Sequence, residues 1–430
     1  MLTRRSLVKS IPAALVAARS GIAQPLAALS TSEIAGTAAS ATTPGTTLPA
    51  RDAFTTPQFE VCLNNARWHP LSIAARKATE DYLEYKSRGI WDQNGHISPA
   101  SILVRESFAK LINATPDEVA FVQSTTAGEN LAVSALGLTQ PGSFNIVTDA
   151  LHFDGSLYLY SQLEKRGVEV RVLKPRITPQ GWSIDKSDIE TAVDKNTRLI
   201  AVSWVSMING FTHDVAWLAS LAHAHGARLY VDAVQAAGCV PIDVRATGID
   251  FLASASYKWL MGDFGLGFLY AGSAVLPTLH RTQWSYRQFS EMQYHAFPND
   301  APGPFPATFD QQLHTAAGYF ETGTYANAVL ATLSYSLPWI QQLGISNIEQ
   351  HAHALHAILR NEMPRLGYGC ITPPHAQGAI VTFAVKDDAA TAARLKRANV
   401  DVSLNPGRMR ISPSIYNNQA DVHALLEALS

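Results

Sequence analysis

Six short apolar runs, at 118–122, 145–148, 168–173, 197–203, 227–232 and 251–254, alternate with stretches of helical periodicity such as 126–136, 156–166 and 215–225. Strands that are apolar throughout must be covered on both faces. Intervening helices supply that cover when the strands run parallel, since a parallel crossover needs a long connection and a hairpin does not. The pattern therefore predicts an α/β fold with a mostly parallel central sheet flanked by helices. Two further helices are expected before it, over 71–87 and 99–112. After 324 the rhythm changes: a long helical stretch leads to a helix over 348–363, strands near 368–372 and 379–385, and a helix over 421–429. That reads as a smaller α+β C-terminal domain. Two domains also suit the 430-residue length, because single hydrophobic cores stop growing at roughly 250–300 residues.

Charge and cysteine content exclude several classes. The 33 basic and 35 acidic residues leave a formal charge of −2, and no basic run interleaves with aromatics, so no nucleic-acid partner is expected. Cys62, Cys239 and Cys370 are too few and too scattered for a disulfide framework or a zinc site. His351, His353 and His356 share one helical stretch, yet no carboxylate or cysteine joins them at a ligand spacing. They read as a solvated helix face, and no metal is expected.

At the N-terminus Arg4 and Arg5 stand between Thr3 and Ser6, before an apolar stretch at 11–18 and small residues up to Ala23. This predicts a twin-arginine signal over 1–23, cleaved near Ala23, and a periplasmic destination for a chain exported already folded. The apolar stretch is too short to span a bilayer, and no later run is long enough. No membrane partner is therefore expected once the signal is removed. Residues 24–50, rich in Ala, Thr, Ser, Gly and Pro, predict a flexible linker. Beyond it are expected an N-terminal arm (51–75), a large domain (76–324), and a linking helix with the small domain (325–430).

Lys258, in Ser256-Tyr257-Lys258-Trp259, follows directly on the apolar run at 251–254. Desolvation lowers an amine's pKa and makes it nucleophilic, so a lysine in this setting suits Schiff-base chemistry and pyridoxal 5'-phosphate. Asp232 ends Tyr230-Val231-Asp232, at the carboxyl end of a buried strand, where ligands bind in open α/β sheets. A protonated pyridine nitrogen would be the cation that a buried aspartate needs; an aspartate capping a loop is the alternative. Gln123-Ser124-Thr125-Thr126-Ala127-Gly128 lies between a strand and a helix and offers N–H groups and hydroxyls to a phosphate, although Ser and Thr cap most helices.

Three segments, Val231-Asp232-Ala233-Val234-Gln235, Tyr257-Lys258-Trp259-Leu260 with Gly265-Leu266-Gly267, and Phe320-Glu321-Thr322-Gly323-Thr324, together resemble the class V aminotransferase family. These are fold-type I pyridoxal phosphate enzymes and include isopenicillin-N epimerase-like proteins, kynureninases and cysteine desulfurases. The likeness runs in order from about residue 59 to the C-terminus. It implies that Lys258 carries the cofactor and moves the α-proton, that Asp232 pairs with the ring nitrogen, and that Gln235 reaches the ring hydroxyl. Thr126 and Ala127 would hold the phosphate through backbone amides, assisted by the Thr125 or Thr126 hydroxyl, with Tyr257 adding a contact. The ring-stacking residue is implied in Leu151-His152-Phe153-Asp154, Phe153 being favoured over His152. Thr324 resembles the residue that reaches the partner subunit's phosphate, which implies a homodimer with shared active sites. Arg410 resembles the family's carboxylate-gripping arginine, and Asn65 a residue bordering the substrate.

The activity so implied is aminotransferase-type chemistry on an amino acid or peptide-like amine. Epimerisation and β-elimination are the alternatives, together with a pyridoxal phosphate-binding protein without turnover. The chain is also similar to the exported pyoverdine-tailoring enzyme of fluorescent pseudomonads, which implies siderophore peptide tailoring. Met207 stands where relatives carry an asparagine near the ring hydroxyl, and Ser206 is the expected replacement. No cysteine lies between 395 and 409, so desulfurase chemistry is not expected. The stretch 276–312, with Trp284, Tyr286, Arg287, Phe289, Tyr294, His295 and Phe297, either walls a roomy pocket or packs as an ordinary loop.

Overall fold

The computed structural model describes residues 47–55, 60–89, 97–288 and 312–430. The expected signal, residues 24–46 of the linker, and Phe289, Tyr294, His295 and Phe297 lie outside the described residues.

The arm strand β1 (Val61–Cys62) precedes helices α1 (Ile73–Ser87) and α2 (Ile97–Leu111). Then come β2 (Val119–Val122), α3 (Thr125–Ala135), β3 (Asn145–Asp149), α4 (Asp154–Lys165) and β4 (Glu169–Leu173). A small hairpin, β5 (Arg176–Thr178) and β6 (Gly181–Ser183), leads to α5 (Lys186–Ala192), β7 (Thr197–Ser203), α6 (Val215–Ala224) and β8 (Arg228–Asp232). The short α7 (Val244–Thr247), β9 (Phe251–Ala255) and β10 (Gly267–Ala271) complete the strands of the large lobe.

These strands pair in the order β2-β10-β9-β8-β7-β3-β4. Every neighbouring pair is parallel except the two made by β10. The link 256–266 between β9 and β10 holds no helix, so the chain returns antiparallel at once. Along the sheet, Val147, Ile200, Val202, Val231 and Leu252 enter one core while Ile146, Leu199, Ala201, Tyr230 and Phe251 enter the other. Alternate side chains thus face opposite helical layers, which explains why each run is apolar throughout. Fully burying one such Val, Leu or Phe contributes roughly 1.5–3 kcal/mol, enough that a misplaced charge would displace the strand.

Past α8 (Ala316–Phe320), α9 (Asn327–Leu343) packs on α1 and α2 and carries the chain to the small lobe. That lobe comprises α10 (Ile345–Glu362), β11 (Val381–Ala384), α11 (Asp388–Arg397), β12 (Val400–Asp401), β13 (Ser403–Asn405), β14 (Arg408–Ile411) and α12 (Gln419–Leu429). Its sheet, β11-β14-β13, is antiparallel. The strand expected near 368–372 shrinks to one bridge, Cys370 opposite Phe383. Its neighbour Ile371 instead gives its carbonyl to the Trp182 N–H of the large lobe at 3.0 Å. The arm is not a free extension, because β1 pairs in parallel with β12 and Val61 and Leu63 join the small-lobe core.

The histidine face on α10 is only partly solvated, with His351 and His353 half-buried. His356 is buried, because Leu355 and Leu359 carry that side of the helix into the core, and burial brings its imidazole down to about 3. Among the described residues no group of His, Cys, Asp and Glu is placed to hold a metal ion, and no helix is long and apolar enough to cross a membrane.

Candidate active site

Asp232 closes β8 at the carboxyl end of the sheet and is buried. Its Oδ1 accepts from the Val234 N–H at 2.9 Å, which turns the chain out of the strand. Its Oδ2 is buried without a hydrogen-bond partner among the described residues. Burial pushes this carboxyl up, against the pull of His152, the Val234 N–H and Lys258. An orphaned buried carboxylate oxygen is costly, so the position suits a donor brought from outside the chain.

Lys258 projects from the link after β9 and is only 8% exposed. The link is pinned by the Met261 N–H on the Lys258 carbonyl and the Gly262 N–H on the Ser256 carbonyl, both 2.8 Å. Met261 takes a left-handed φ of 53°, which fixes the bend. Desolvation lowers the Lys258 ammonium to about 8; Asp232 opposes that shift and Arg410 adds to it. Arg410 sits on β14, buried, with Nη1 donating to the Met207 carbonyl at 2.9 Å and Nε buried without a partner among the described residues. Burial, then Arg408 and Arg67, bring its guanidinium down to about 10. Asp232 and Lys258 from the large lobe and Arg410 from the small lobe are therefore neighbours across the crevice between the lobes.

The two candidates for the stacking position are placed differently. His152 is fully buried and acts electrostatically on Asp232, whereas the Phe153 ring folds back over its own chain at Gly155. The reason is the tight turn from β3, closed by the His152 N–H on the Asp149 carbonyl at 3.2 Å, which makes Phe153 the residue before α4. His152 Nδ1 meets Ser203 Oγ at 2.8 Å and Nε2 meets Glu129 Oε1 at 3.1 Å. Burial disfavours its charge, but Glu129 overrides this and raises the imidazole. Glu129 is a hub missed in the sequence reading: it also accepts from Ser156 Oγ and, at 2.6 Å, from Tyr160 Oη. The available signal was an acid on the inward face of α3.

At the N-terminus of α3 the residues divide differently from expectation. The Thr125 hydroxyl accepts from the Ala255 N–H at 2.9 Å, which ties α3 to β9 and leaves its O–H to donate. Ser124 Oγ caps the Ala127 N–H at 3.1 Å. Thr126 is the exposed hydroxyl of the first turn, where N–H groups lack intrahelical partners. Thr324 and Ala127 line the same cavity of about 410 Å³, with Gln123 and Gly265. Tyr257 is half-buried, stacked on Phe264 at 4.4 Å, with Lys258 Nζ 5.5 Å from its ring centre.

Gln235 is held at both ends, Nε2 donating to the Ala66 carbonyl at 3.1 Å and Oε1 accepting from Trp259 Nε1 at 2.9 Å, which leaves one Nε2 hydrogen for a ligand. Asn65 is saturated: Nδ2 donates to the Ser412 carbonyl at 2.9 Å and Oδ1 accepts from Tyr416 Oη at 2.6 Å. It joins the arm to the small lobe. Ser206, the expected replacement for the missing asparagine, donates its hydroxyl to the Leu151 carbonyl at 2.8 Å. Of the aromatic stretch, Trp284 and Tyr286 are exposed.

The residues fit pyridoxal phosphate: an orphaned carboxylate for the pyridine nitrogen, a desolvated lysine beside it, and a helix N-terminus for the phosphate define a fold-type I enzyme of that cofactor. The profile described as Aminotransferase class-V matches residues 73–425, and the chain belongs to this family of pyridoxal phosphate-dependent enzymes. A probable cysteine desulfurase of Methanothermobacter thermautotrophicus is 28% identical over 322 residues, covering 74% of this chain and 76% of the relative. An uncharacterized aminotransferase of Bacillus subtilis, YcbU, is 27% identical over 387 residues, covering 88% and 96%. Among solved structures, the cysteine desulfurase CsdA of Escherichia coli superposes with a TM-score of 0.74 at 21% identity, covering 88% of this chain and 97% of that one.

Proposed function

We propose that the protein transfers or removes the amino group of an amino acid or peptide-like amine, with transamination as its principal reaction. The observation that carries this reading is the unpartnered Asp232 Oδ2 beside a lysine lowered to about 8. When bound, pyridoxal phosphate supplies an electron sink that loosens the bonds at the substrate's α-carbon. Asp232 would hold a positive charge at the ring nitrogen, and His152, fixed by Ser203 and Glu129, would support Asp232 electrostatically beside it. Arg410 receives the substrate carboxylate through its free Nε, its Nη1 remaining on the Met207 carbonyl. Lys258 Nζ, half-deprotonated near pH 8, takes and returns the α-proton.

Several relatives are named cysteine desulfurases, which favours elimination from a sulfur amino acid as a second reading. Persulfide transfer needs an accessible, low-pKa thiolate, and burial raises all three thiols here: Cys62, Cys239 and Cys370. Transamination therefore comes first. In this proposal the enzyme works as a homodimer, is exported folded to the periplasm, and takes a siderophore peptide as its physiological substrate.

Borohydride reduction followed by peptide mass spectrometry tests the cofactor role, with a pyridoxyl adduct expected on Lys258. An amino acid panel with a keto-acid acceptor tests the reaction. Oxo-acid formation matched to acceptor amination supports transamination; pyruvate and sulfide released from cysteine without acceptor would establish elimination instead. An unchanging cofactor spectrum across the panel would leave a binding protein without turnover.

A further inference from the structure

We propose that Arg67, with Arg408, forms a second anion subsite at the mouth of the crevice, so that the enzyme selects amino acids carrying a side-chain carboxylate. The inference rests on the cofactor reading above and extends it to the substrate class.

The arm segment 64–69 is fixed across the site by bonds on either side of Arg67. Ala66 accepts from Gln235 Nε2 at 3.1 Å and donates its N–H to Ser412 Oγ at 3.0 Å. Two residues beyond Arg67, the His69 N–H donates to the carbonyl of Tyr257, the neighbour of Lys258, at 3.0 Å. A turn closed by the Arg67 N–H on the Asn64 carbonyl at 3.1 Å leaves Arg67 and Trp68 exposed between these anchors. Arg408 lies two residues from Arg410 on β14 and therefore on the same face of the strand.

Elsewhere the half-buried arginines are occupied, Arg105, Arg228 and Arg245 by the acids Glu321, Asp250 and Glu118, and Arg281 and Arg360 by backbone carbonyls. The side chains of Arg67 and Arg408 make no hydrogen bond or ion pair among the described residues. The carboxylate that senses Arg67 is Asp401, and it is engaged by Asn64 Nδ2 at 3.2 Å. Arg410 is nine-tenths buried with an unpartnered Nε. Three guanidiniums with no bonded acid among the described residues repel one another until anions enter. A substrate α-carboxylate satisfies Arg410 alone. A second carboxylate, a chain length away, satisfies Arg67 and Arg408 and makes charge-assisted, two-point binding available.

Titration calorimetry of the holoenzyme with glutarate, a dicarboxylate with no amine to react, and with pentanoate, its monocarboxylate counterpart, tests the subsite. Glutarate is expected to bind about tenfold tighter, and Arg67→Ala to bring the two ligands within about threefold while leaving pentanoate nearly unchanged. Arg67→Lys should restore part of the preference, as a retained charge would and a packing role would not. Equal binding of the two ligands by the unaltered protein, or equal weakening of both by Arg67→Ala, overturns the proposal. Arg67 is exposed, so its removal leaves the core intact. Loss of the Lys258 borohydride adduct in the unaltered protein would sink the cofactor reading, whereas the glutarate preference is decided by the binding heats.

Discussion

The amine of Lys258 is governed by three neighbours at once: an apolar enclosure and Arg410 that disfavour its proton, and Asp232 that favours it. Only the free amine attacks an aldehyde, so attachment of cofactor to apoprotein should accelerate with rising pH and level off above about 8. Borohydride-trapped adduct measured against pH checks this, and Arg410→Ala should move the midpoint upward by removing a like charge. Glu129 is the second residue on which much converges. Glu129→Ala strands His152, Ser156 and Tyr160, and should lower stability by roughly 3–5 kcal/mol, the usual range for breaking a buried charged pair. Denaturant unfolding measures that loss. Lys258 and Asp232 stood out in the sequence because each is a charge beside an apolar, strand-like run, whereas Arg410 was singled out only by the resemblance of its segment. The choice between His152 and Phe153 was not legible, since two adjacent ring-bearing residues are separated only by how a tight turn aims them. Arg67 gave no signal of its own, as nothing local to 64–69 reveals which element the segment will cross.

Among the elements, β3, β7, β8 and β9 were legible within a residue or two, because a strand buried on both faces leaves an unbroken apolar run. The direction of β10 was not assigned, for direction depends on whether the preceding link contains a helix. The pair β13 and β14 was also missed, being too short to show a period and containing the arginines that serve the site. Gly238 illustrates how an element's end can control chemistry at a distance. It has φ of 101°, and a Cβ there would stand 2.5 Å from the Trp259 carbonyl. Gly238→Ala should cost about 1–3 kcal/mol of strain and, by shifting Trp259, loosen Gln235. A fall in melting temperature with weaker cofactor affinity in a spectroscopic titration is the expected result.

On the scale of the whole molecule, the lobes meet through the arm, whose Asn65 is bonded to Ser412 and Tyr416. Asn65→Ala leaves these buried groups unsatisfied, at about 1–3 kcal/mol for each. It should lower the melting temperature and raise the KM for amino acids more than it lowers kcat, because the arm also positions Arg67. The cavity beside Thr324 opens next to the phosphate seat, and a two-fold copy covering it would give a particle of twice the chain mass by sedimentation.

The pairing of Val61 with Val400 joins an early-made strand to one made much later. Contacts so distant along the chain form slowly, after local ones. The large lobe can thus acquire its sheet while Gln235 and Tyr257 still lack their covering segment. Docking of the arm over these residues then waits for the small lobe's later strands.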